Sequence, residues 1–573
     1  MSLLAVAATL AVPPVANAGA ASEGPSPHGA KAGLTTPLAT DPYCRVSRRA
    51  ELRAQTDISS VASGILIVDG VRLEFRQSSW QARTPAKPTV SQYFHAAAWL
   101  VSVYRADPAL AVSLLLEQAV ASPDVGGLAP VEQQLRTGWT ESHVTRRTWT
   151  ALCLYSRTRD ERILPVLDAL IAANLDPQRY AGPPRRTAHN HAVFANEVLR
   201  RAGELLQRSD LVATSRERLD GAFDSAFDSC GMTREQSSAY HALNLRIWSR
   251  NLPSPSSPRW LEILDAARRA LGAIARPDAV LETIGDGTGS SWTAPQLDEI
   301  DVVPSGTIFC PETGWAAAHL SLPDGSRQHY TLRFGPARKM HGHQDHRAPT
   351  WWVGNSDGSG VPVLVDRGLF GKERNARYRW AVSQAAHSVA RVTGTPVVGV
   401  TSGVHLDNPD ADSYLLQTTQ VSGTLARTLS IAHDAAILAV EDRFVSSSAV
   451  RPWFIQGWQL APDWVRSEEH TAVTADGRHT LDVFCRRGPS VTKPQVLDVQ
   501  HFPSYGESVP ALELRCASAD VSRSRIQTAL VVDMARGTRD PARTSAQIVD
   551  GRLRISTPRG TYLVSEDGLL HRR

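Results

Sequence analysis

The chain has 573 residues, 42% of them hydrophobic and 21% charged, and a formal charge of +4. That length predicts two or three domains, and the composition excludes a disordered chain. So small a net charge gives no footprint for nucleic acid binding, yet it does not oppose a polyanionic substrate. The basic residues are mostly arginine, whose planar fork suits carboxylate and sulfate groups; genomic composition bias is the simpler account.

Residues Met1 to Val12 form a short apolar run, followed by two prolines and a small-x-small site at Ala16-Asn17-Ala18. This is the pattern of a secretory signal peptide over 1–18, lacking the usual positive start, with an alanine-rich tail as the plain alternative. An N-terminal arm, 19–80, follows. No later stretch has the length of a membrane-spanning helix, so the expectation is an exported protein without a span. Export permits disulfides among Cys44, Cys153, Cys230, Cys310, Cys485 and Cys516, and no CxxC pair directs them to a metal. Cys153, in an apolar helical run, reads as a buried thiol, while Cys485 and Cys516 on strand-like runs suggest a bridge.

From about Ser91 to Ile300 the apolar residues recur at helical spacing. Phe94, Ala97, Val101 and Tyr104 make one face, and Asp107-Pro108 caps and opens a new helix through Leu110, Leu114 and Leu115. Ile163, Val166, Leu167, Leu170 and Ile171 make a further stripe, as do Phe194, Val198, Ala202, Leu205 and Leu206. Such a succession without strand signals predicts helix-on-helix packing over 81–303. Asn190-His191 opens a helix running to about Leu206, and Glu235-Gln236-Ser-Ser-Ala-Tyr240-His241 opens another running to about Trp248, with a third, Leu211 to Phe227, between them. Alternate helices of an up-down array run parallel, so Asn190, His191 and Tyr240 can meet at one rim. Free N–H groups at such ends favour a carboxylate. Taken singly, Asn190 reads as a cap, His191 as a structural histidine and Tyr240 as a core aromatic. Arg146-Arg147 and Arg185-Arg186 read as solvated helix faces.

After about Pro304 the period changes. Trp315 to Leu322 and His329 to Phe334 flank Pro323-Asp-Gly-Ser326, a hairpin, and strand signals recur at Tyr414–Thr419, Thr428–His433, Ala436–Glu441, Thr480–Cys485, Ala529–Asp533 and Leu553–Ser556. Residues 304–573 therefore predict a large antiparallel β-sandwich. Within them, His341-Gly-His343 on a strand-like run would put both imidazoles on one face. Trp351-Trp352-Val353 and Val361 to Val365 form a second hairpin, which returns Asp366 toward His343. With His387 these offer two imidazoles and a carboxylate, a donor set suited to zinc.

These elements, in this order, resemble the heparinase II/III-like polysaccharide lyases. The resemblance runs from about Trp139 to Trp458 and rests on His189-Asn190-His191, Glu235 to His241, Ile284-Gly-Asp286, His341 to Asp345, Leu364 to Gly368, and Arg377-Tyr378 through His387-Ser388-Val389. It implies an α+β multidomain fold, an incomplete (α/α) toroid followed by an antiparallel β-sandwich. It also implies a secreted enzyme that cleaves an anionic, uronic-acid-containing polysaccharide by β-elimination. Asn190 would neutralise the uronate carboxylate, His191 would neutralise or act as base, Tyr240 would be the acid, and His341 would line the cleft. Gln236, Arg377 and Tyr378 would bind substrate, and His343, Asp366 and His387 would hold a structural zinc. Two positions depart from the family pattern. The segment after Asp366 reads Leu369-Phe370-Gly-Lys372-Glu373, with no tyrosine before Tyr378, so the base is a histidine or a displaced Tyr378. Ser388 also stands where the family has asparagine, which touches an outer contact of the metal site.

A zinc-dependent hydrolase competes with this reading, but no His-Glu-x-x-His occurs and the Asn190/Tyr240 pair would go unused. Gly354-x-Ser356-x-Gly358 falls in a hairpin turn, which excludes a nucleophile elbow. Gly285-Asp-Gly-Thr-Gly289 reads as a structural loop. A catalytically degenerate lyase fold that binds carbohydrate is the rival from outside enzymology. No dense Lys/Arg cluster opens the expected cleft, which points away from a sulfated polymer.

Overall fold

The computed structural model describes residues 41–44, 54–55 and 57–573, apart from 69, 76–79, 81–87, 182–189, 252–256, 288–301, 336–339, 358, 372, 394–400, 421–422, 448–452, 519–522 and 535–543. The signal-peptide segment 1–18, His189 and Arg185-Arg186 lie outside these residues.

A small antiparallel sheet (Ala54–Gln55, Ile65–Val68, Val71–Glu74) leads into the helical half. Phe75 and Trp80 sit in the first helical core, against Phe94 and Trp99, so this end of the arm is part of that core. The expected face through Phe94, Ala97 and Val101 is buried, but it is not one helix. Helices Pro88–His95 and Leu100–Ala106 break at Ala97, whose φ is +54°. The Trp99 indole N–H donates to the Phe94 carbonyl at 3.3 Å, taking an acceptor that a continuing helix would use. Asp107 caps the next helix as its sequence position predicts, accepting from the Leu110 N–H at 2.9 Å with Pro108 at the first position.

The helices Asn190–Leu206, Ser209–Ala226 and Ser238–Arg250 follow the expected order. The buried stripe of the first is centred on Val193, Val198, Leu199 and Ala202, whereas Phe194 is exposed. The last long helix, Pro258–Ile274, shares a core with the β half, in which Trp248, Trp260 and Leu271 meet Trp315 and Ala317. His319 and His329, cross-strand neighbours, place Nε2 3.2 Å from the Gly272 carbonyl and 2.8 Å from the Ala273 carbonyl. These are the orphan acceptors at a helix C-terminus, met here by imidazoles from a sheet.

The β half is antiparallel in all its named ladders. A five-stranded sheet (Thr307–Cys310, Trp315–Ser321, Arg327–Arg333, Ala348–Gly354, Gly360–Leu364) contains both predicted hairpins. A nine-stranded sheet takes in the strands Ala411–Gln420, Gly423–Ala432, Ile437–Ser446, His479–Arg487 and Arg523–Met534, each overlapping a predicted segment. Tyr330, Leu332 and Trp351 of the first sheet share one core with Leu429, Val440 and Leu530 of the second, and with Trp458 and Leu514 of a four-stranded sheet. A C-terminal four-stranded sheet (Ser545–Val549 to Leu570–Arg572) lies against the nine-stranded one through Leu553, Ile555 and Tyr562.

Two expectations are corrected. Cys153 is not a thiol: it pairs with Cys44, alongside Cys230–Cys310 and the expected Cys485–Cys516. Arg147 is buried, not solvated, with its guanidinium 4.7 Å from the Trp139 ring centre and donating to the Gly138 carbonyl; Arg146 is exposed. Among the described residues no helix is long and apolar enough to cross a membrane.

Candidate active site

Three loops meet where the helical half faces the first sheet. The first precedes the Ser238–Arg250 helix and carries Glu235, Gln236 and Ser237, the last capping that helix by accepting from the Tyr240 N–H at 3.4 Å. The second carries Gly285 and Asp286, and the third His341 to His343. Backbone bonds lace them: His341 N–H to the Glu235 carbonyl at 3.0 Å, and Asp286 N–H to the His341 carbonyl at 2.7 Å. Gly285 has φ +72°, and a Cβ there would stand 2.6 Å from the His341 carbonyl oxygen and 2.7 Å from that of Gln236. Only glycine allows this approach. The 341–345 segment is thus a loop ahead of the Ala348–Gly354 strand and not the strand its spacing suggested, because its backbone bonds go to other loops.

His341 and His343 nonetheless converge. His341 Nδ1 lies 3.0 Å from one Asp286 oxygen and His343 Nε2 3.1 Å from the other. His341 Nε2 lies 3.4 Å from Glu235 Oε2, so a carboxylate faces each of its ring nitrogens. Its ring stacks on Tyr240, with centroids 3.5 Å apart and planes at 12°. Burial, helped by the charges of Asp286 and Glu235, raises the Tyr240 phenol above its usual range, so it keeps its proton at neutral pH. Burial pushes the Asp286 carboxyl up, but the hydrogen bonds and charges of His341 and His343 outweigh it and hold it below the usual range.

The helical side is joined through Glu235, a buried carboxylate. Its Oε1 accepts from the Asn190 N–H and from Asn244 Nδ2, both at 2.9 Å. The anion expected at the start of the Asn190–Leu206 helix is therefore supplied by the protein itself. His191, one residue on, meets a different carboxylate: its Nδ1 lies 3.0 Å from Glu141 Oε2. Glu141 opens the Glu141–Thr158 helix.

Behind His343 lies a second cluster. One ligand atom from each of His343, Asp366 and His387 lies within 4.8 Å of the others, and all three residues are buried. His387 Nδ1 is 2.8 Å from Asp366 Oδ2, while Asp366 Oδ1 accepts from the Gly368 N–H at 3.1 Å. His343 Nδ1 and His387 Nε2 are buried without a hydrogen-bond partner among the described residues. Buried imidazole nitrogens without partners, beside a carboxylate, fit a cation such as zinc. Arg367 fixes the loop from beneath, donating to Gln459 Oε1 at 2.8 Å and the Leu460 carbonyl at 3.0 Å. Ser388, at the divergent position, accepts from the Gln459 N–H at 3.0 Å and so serves the same brace.

The remaining sequence candidates stand differently. Gln236 is buried at φ +63° beside the capping turn. Tyr378 and Arg377 lie on the short Ala376–Ala381 helix, Tyr378 packed against an apolar cluster with Leu369 and Phe502, and Arg377 4.5 Å over the Phe370 ring. That helix is tied to the site through Gln344 N–H to the Val382 carbonyl, 3.0 Å. Four residues of the network were not among the sequence candidates. Glu235 and Asp286 lay within the quoted motifs, and Asn244 sits one helical turn after Tyr240. Glu141, fifty positions before His191, had no local signal.

No family model matches the sequence, and no curated protein matches it. Among solved structures the chain is similar to a heparinase III (TM-score 0.65, 12% identity, 86% of this chain and 85% of that one). It is also similar to a heparinase III with methylated lysines (0.63, 10%, 92% and 91%) and to the heparan sulfate lyase HepC of Pedobacter heparinus (0.55, 14%, 93% and 90%). The fold is that of the heparinase II/III-like polysaccharide lyases.

Proposed function

We propose that the protein is a secreted polysaccharide lyase that cleaves a uronic-acid-containing polymer by β-elimination. The observation that carries this reading is Tyr240 stacked on His341 while Glu235 joins His341 to the backbone N–H of Asn190, which ties the acid and an imidazole to the helix start that carries Asn190 and His191. In this reading the incomplete (α/α) toroid supplies one wall of the cleft and the β-sandwich the other. The Asn190 amide neutralises the uronate carboxylate, which makes the C5 proton acidic enough to remove. His191 removes that proton, the electrons form the C4–C5 double bond, and the C4–O bond breaks. Tyr240, whose raised phenol is protonated at neutral pH, gives its proton to the departing oxygen. Proton exchange with water then restores both groups. His341 has both ring nitrogens engaged by carboxylates and Tyr378 is held in its apolar cluster, so the base of this reading is His191.

His343, Asp366 and His387 would hold zinc, which would fix this loop cluster rather than activate water. Through Asp286, His343 also steadies His341. Gln236 and Arg377 are left with supporting or substrate-facing roles. Export is supported by three disulfides that use all six cysteines, a pattern of oxidising compartments.

The test is ultraviolet absorbance of the protein incubated with a panel of uronate polymers, sulfated and unsulfated. Elimination makes a conjugated double bond that hydrolysis cannot make. A rise that disappears in Tyr240→Phe supports the lyase. Polymer binding without a rise would favour the degenerate fold instead, for which Phe370 in place of the family tyrosine is the motive.

A further inference from the structure

The Glu141–His191 pair extends the lyase reading and rests on it. His191 Nδ1 and Glu141 Oε2 are 3.0 Å apart, a full hydrogen bond, and both side chains are partly sheltered, at 32% and 18% exposure. An imidazole whose Nδ1 carries the shared proton has its remaining lone pair on Nε2. A ring without that partner could place the proton on either nitrogen, and only one of the two tautomers offers Nε2 as a base.

Glu141 is itself held. The segment before it is pinned by Arg179 Nε donating to the Trp139 carbonyl at 2.9 Å, by the Trp139 indole donating to the Ser122 carbonyl at 2.9 Å, and by Arg147 on the Gly138 carbonyl. Thr140 Oγ1 lies 2.8 Å from His143 Nδ1, one turn along the helix. Arg147 and Arg179 are buried and stack over Trp139. Two buried arginines that reach backbone carbonyls, Arg179 also paired with Asp124 at 2.6 Å, make a rigid mount, which is what a group that sets another side chain's orientation needs.

We propose that Glu141 is a positioning residue: it takes the Nδ1 proton of His191 in a hydrogen bond and thereby presents Nε2 as the nitrogen that removes the C5 proton. Glu141 touches no reacting atom. It acts by fixing the ring and its tautomer, and its charge stabilises the imidazolium that forms as the proton arrives. The bond that breaks is C5–H, the bond that forms is Nε2–H, and the C5 electrons pass into the C4–C5 double bond.

The experiment is nitrogen-15 NMR of the full chain labelled at histidine, at a pH near 7.5, with the His191 signals identified by their loss in His191→Gln. The expected result is a neutral His191 protonated at Nδ1, kept in Glu141→Gln, whose amide oxygen can still accept, and lost or mixed in Glu141→Ala. A His191 protonated at Nε2, an imidazolium at that pH, or an unchanged tautomer in Glu141→Ala would each overturn the proposal. This readout needs no substrate, so it stands apart from the lyase reading. Where a polymer is cleaved, Glu141→Ala should lower kcat about 10- to 100-fold with KM little changed, and Glu141→Gln should recover part of it. A loss confined to KM would mean that Glu141 serves binding and not proton removal. An Nδ1 tautomer in a protein that cleaves nothing would count against the lyase alone.

Discussion

On the helical side of the site, Glu235 gives one oxygen to the Asn190 N–H and to Asn244, and Glu141 meets His191. On the β side, His343 and His387 each keep a buried ring nitrogen without a hydrogen-bond partner among the described residues. Both regions are polar and largely buried, yet they handle the cost of desolvation differently. On the helical side the carboxylates meet donors, which fixes their positions, although Glu235 Oε2 and Asn244 Oδ1 are buried without a hydrogen-bond partner among the described residues. The β-side nitrogens remain costly until something with positive charge meets them. The atoms left over on the helical side are oxygens, which call for a donor, whereas those on the β side are imidazole nitrogens beside a carboxylate, which suit an ion.

The largest expected effect lies on the helical side and on activity alone. Tyr240→Phe should lower kcat on a cleaved polymer roughly 100- to 10,000-fold, the worth of a general acid, with the thermal midpoint nearly unchanged. A variant that keeps its turnover would remove Tyr240 from the chemistry. On the β side the effect should fall on stability and metal content instead. Asp366→Ala leaves His387 without its carboxylate and should cost about 3–5 kcal/mol in denaturant unfolding. After equilibration with zinc and dialysis, elemental analysis should find stoichiometric metal in the parent protein and none in this variant. Equal zinc retention in both would dissolve the contrast between the two sides.

The seam that joins them gives a pH prediction. Burial lowers His241 to about 4 and His329 to about 3. Both donate to carbonyls of the Pro258–Ile274 helix, at Ala267 and Ala273. The unfolded chain takes up these protons near pH 6.5, whereas the folded chain does so only near the lowered values. Stability is therefore unaffected above about pH 6.5 and falls as the pH drops below it, by about 2 kcal/mol per histidine at pH 5. Urea titrations from pH 7 to pH 5 check this, and a flat profile would contradict the buried neutral assignment. The smallest effect is expected for Glu235→Ala, which strands the Asn190 N–H while the Asn244 amide keeps Thr233 Oγ1 and the Tyr240 carbonyl as acceptors, and should cost about 1–3 kcal/mol.

Much of this was legible beforehand because periodicity reports burial. The helices from Asn190 and Ser238 and the Trp315 hairpin ended within a few residues of their predicted bounds. The return of the second hairpin predicts Asp366 close to His343, with His387 as a third ligand, and the three do lie together, their metal remaining a proposal. What escaped was set by partners distant in sequence. The stretch from His341 reads as a strand, yet its backbone bonds go to the loops at Glu235 and Asp286. The Ala97 break depends on one indole hydrogen bond, and the Cys44–Cys153 bridge spans 109 residues. Arg147 looked like a solvated charge for another reason: the Trp139 ring and the Gly138 carbonyl that hold it lie close in sequence but ahead of the Glu141–Thr158 helix, where helical spacing gives no contact.

The three disulfides have one more property. Read along the chain, the pairs 44–153, 230–310 and 485–516 follow one another without interleaving. A chain crossing a membrane with its N-terminus first would present both members of each pair before the first member of the next. Oxidation in order of emergence then produces the native set directly. In an exported chain this connectivity would need no reshuffling, whereas refolding from the fully reduced chain, where all six thiols compete at once, would be the harder route.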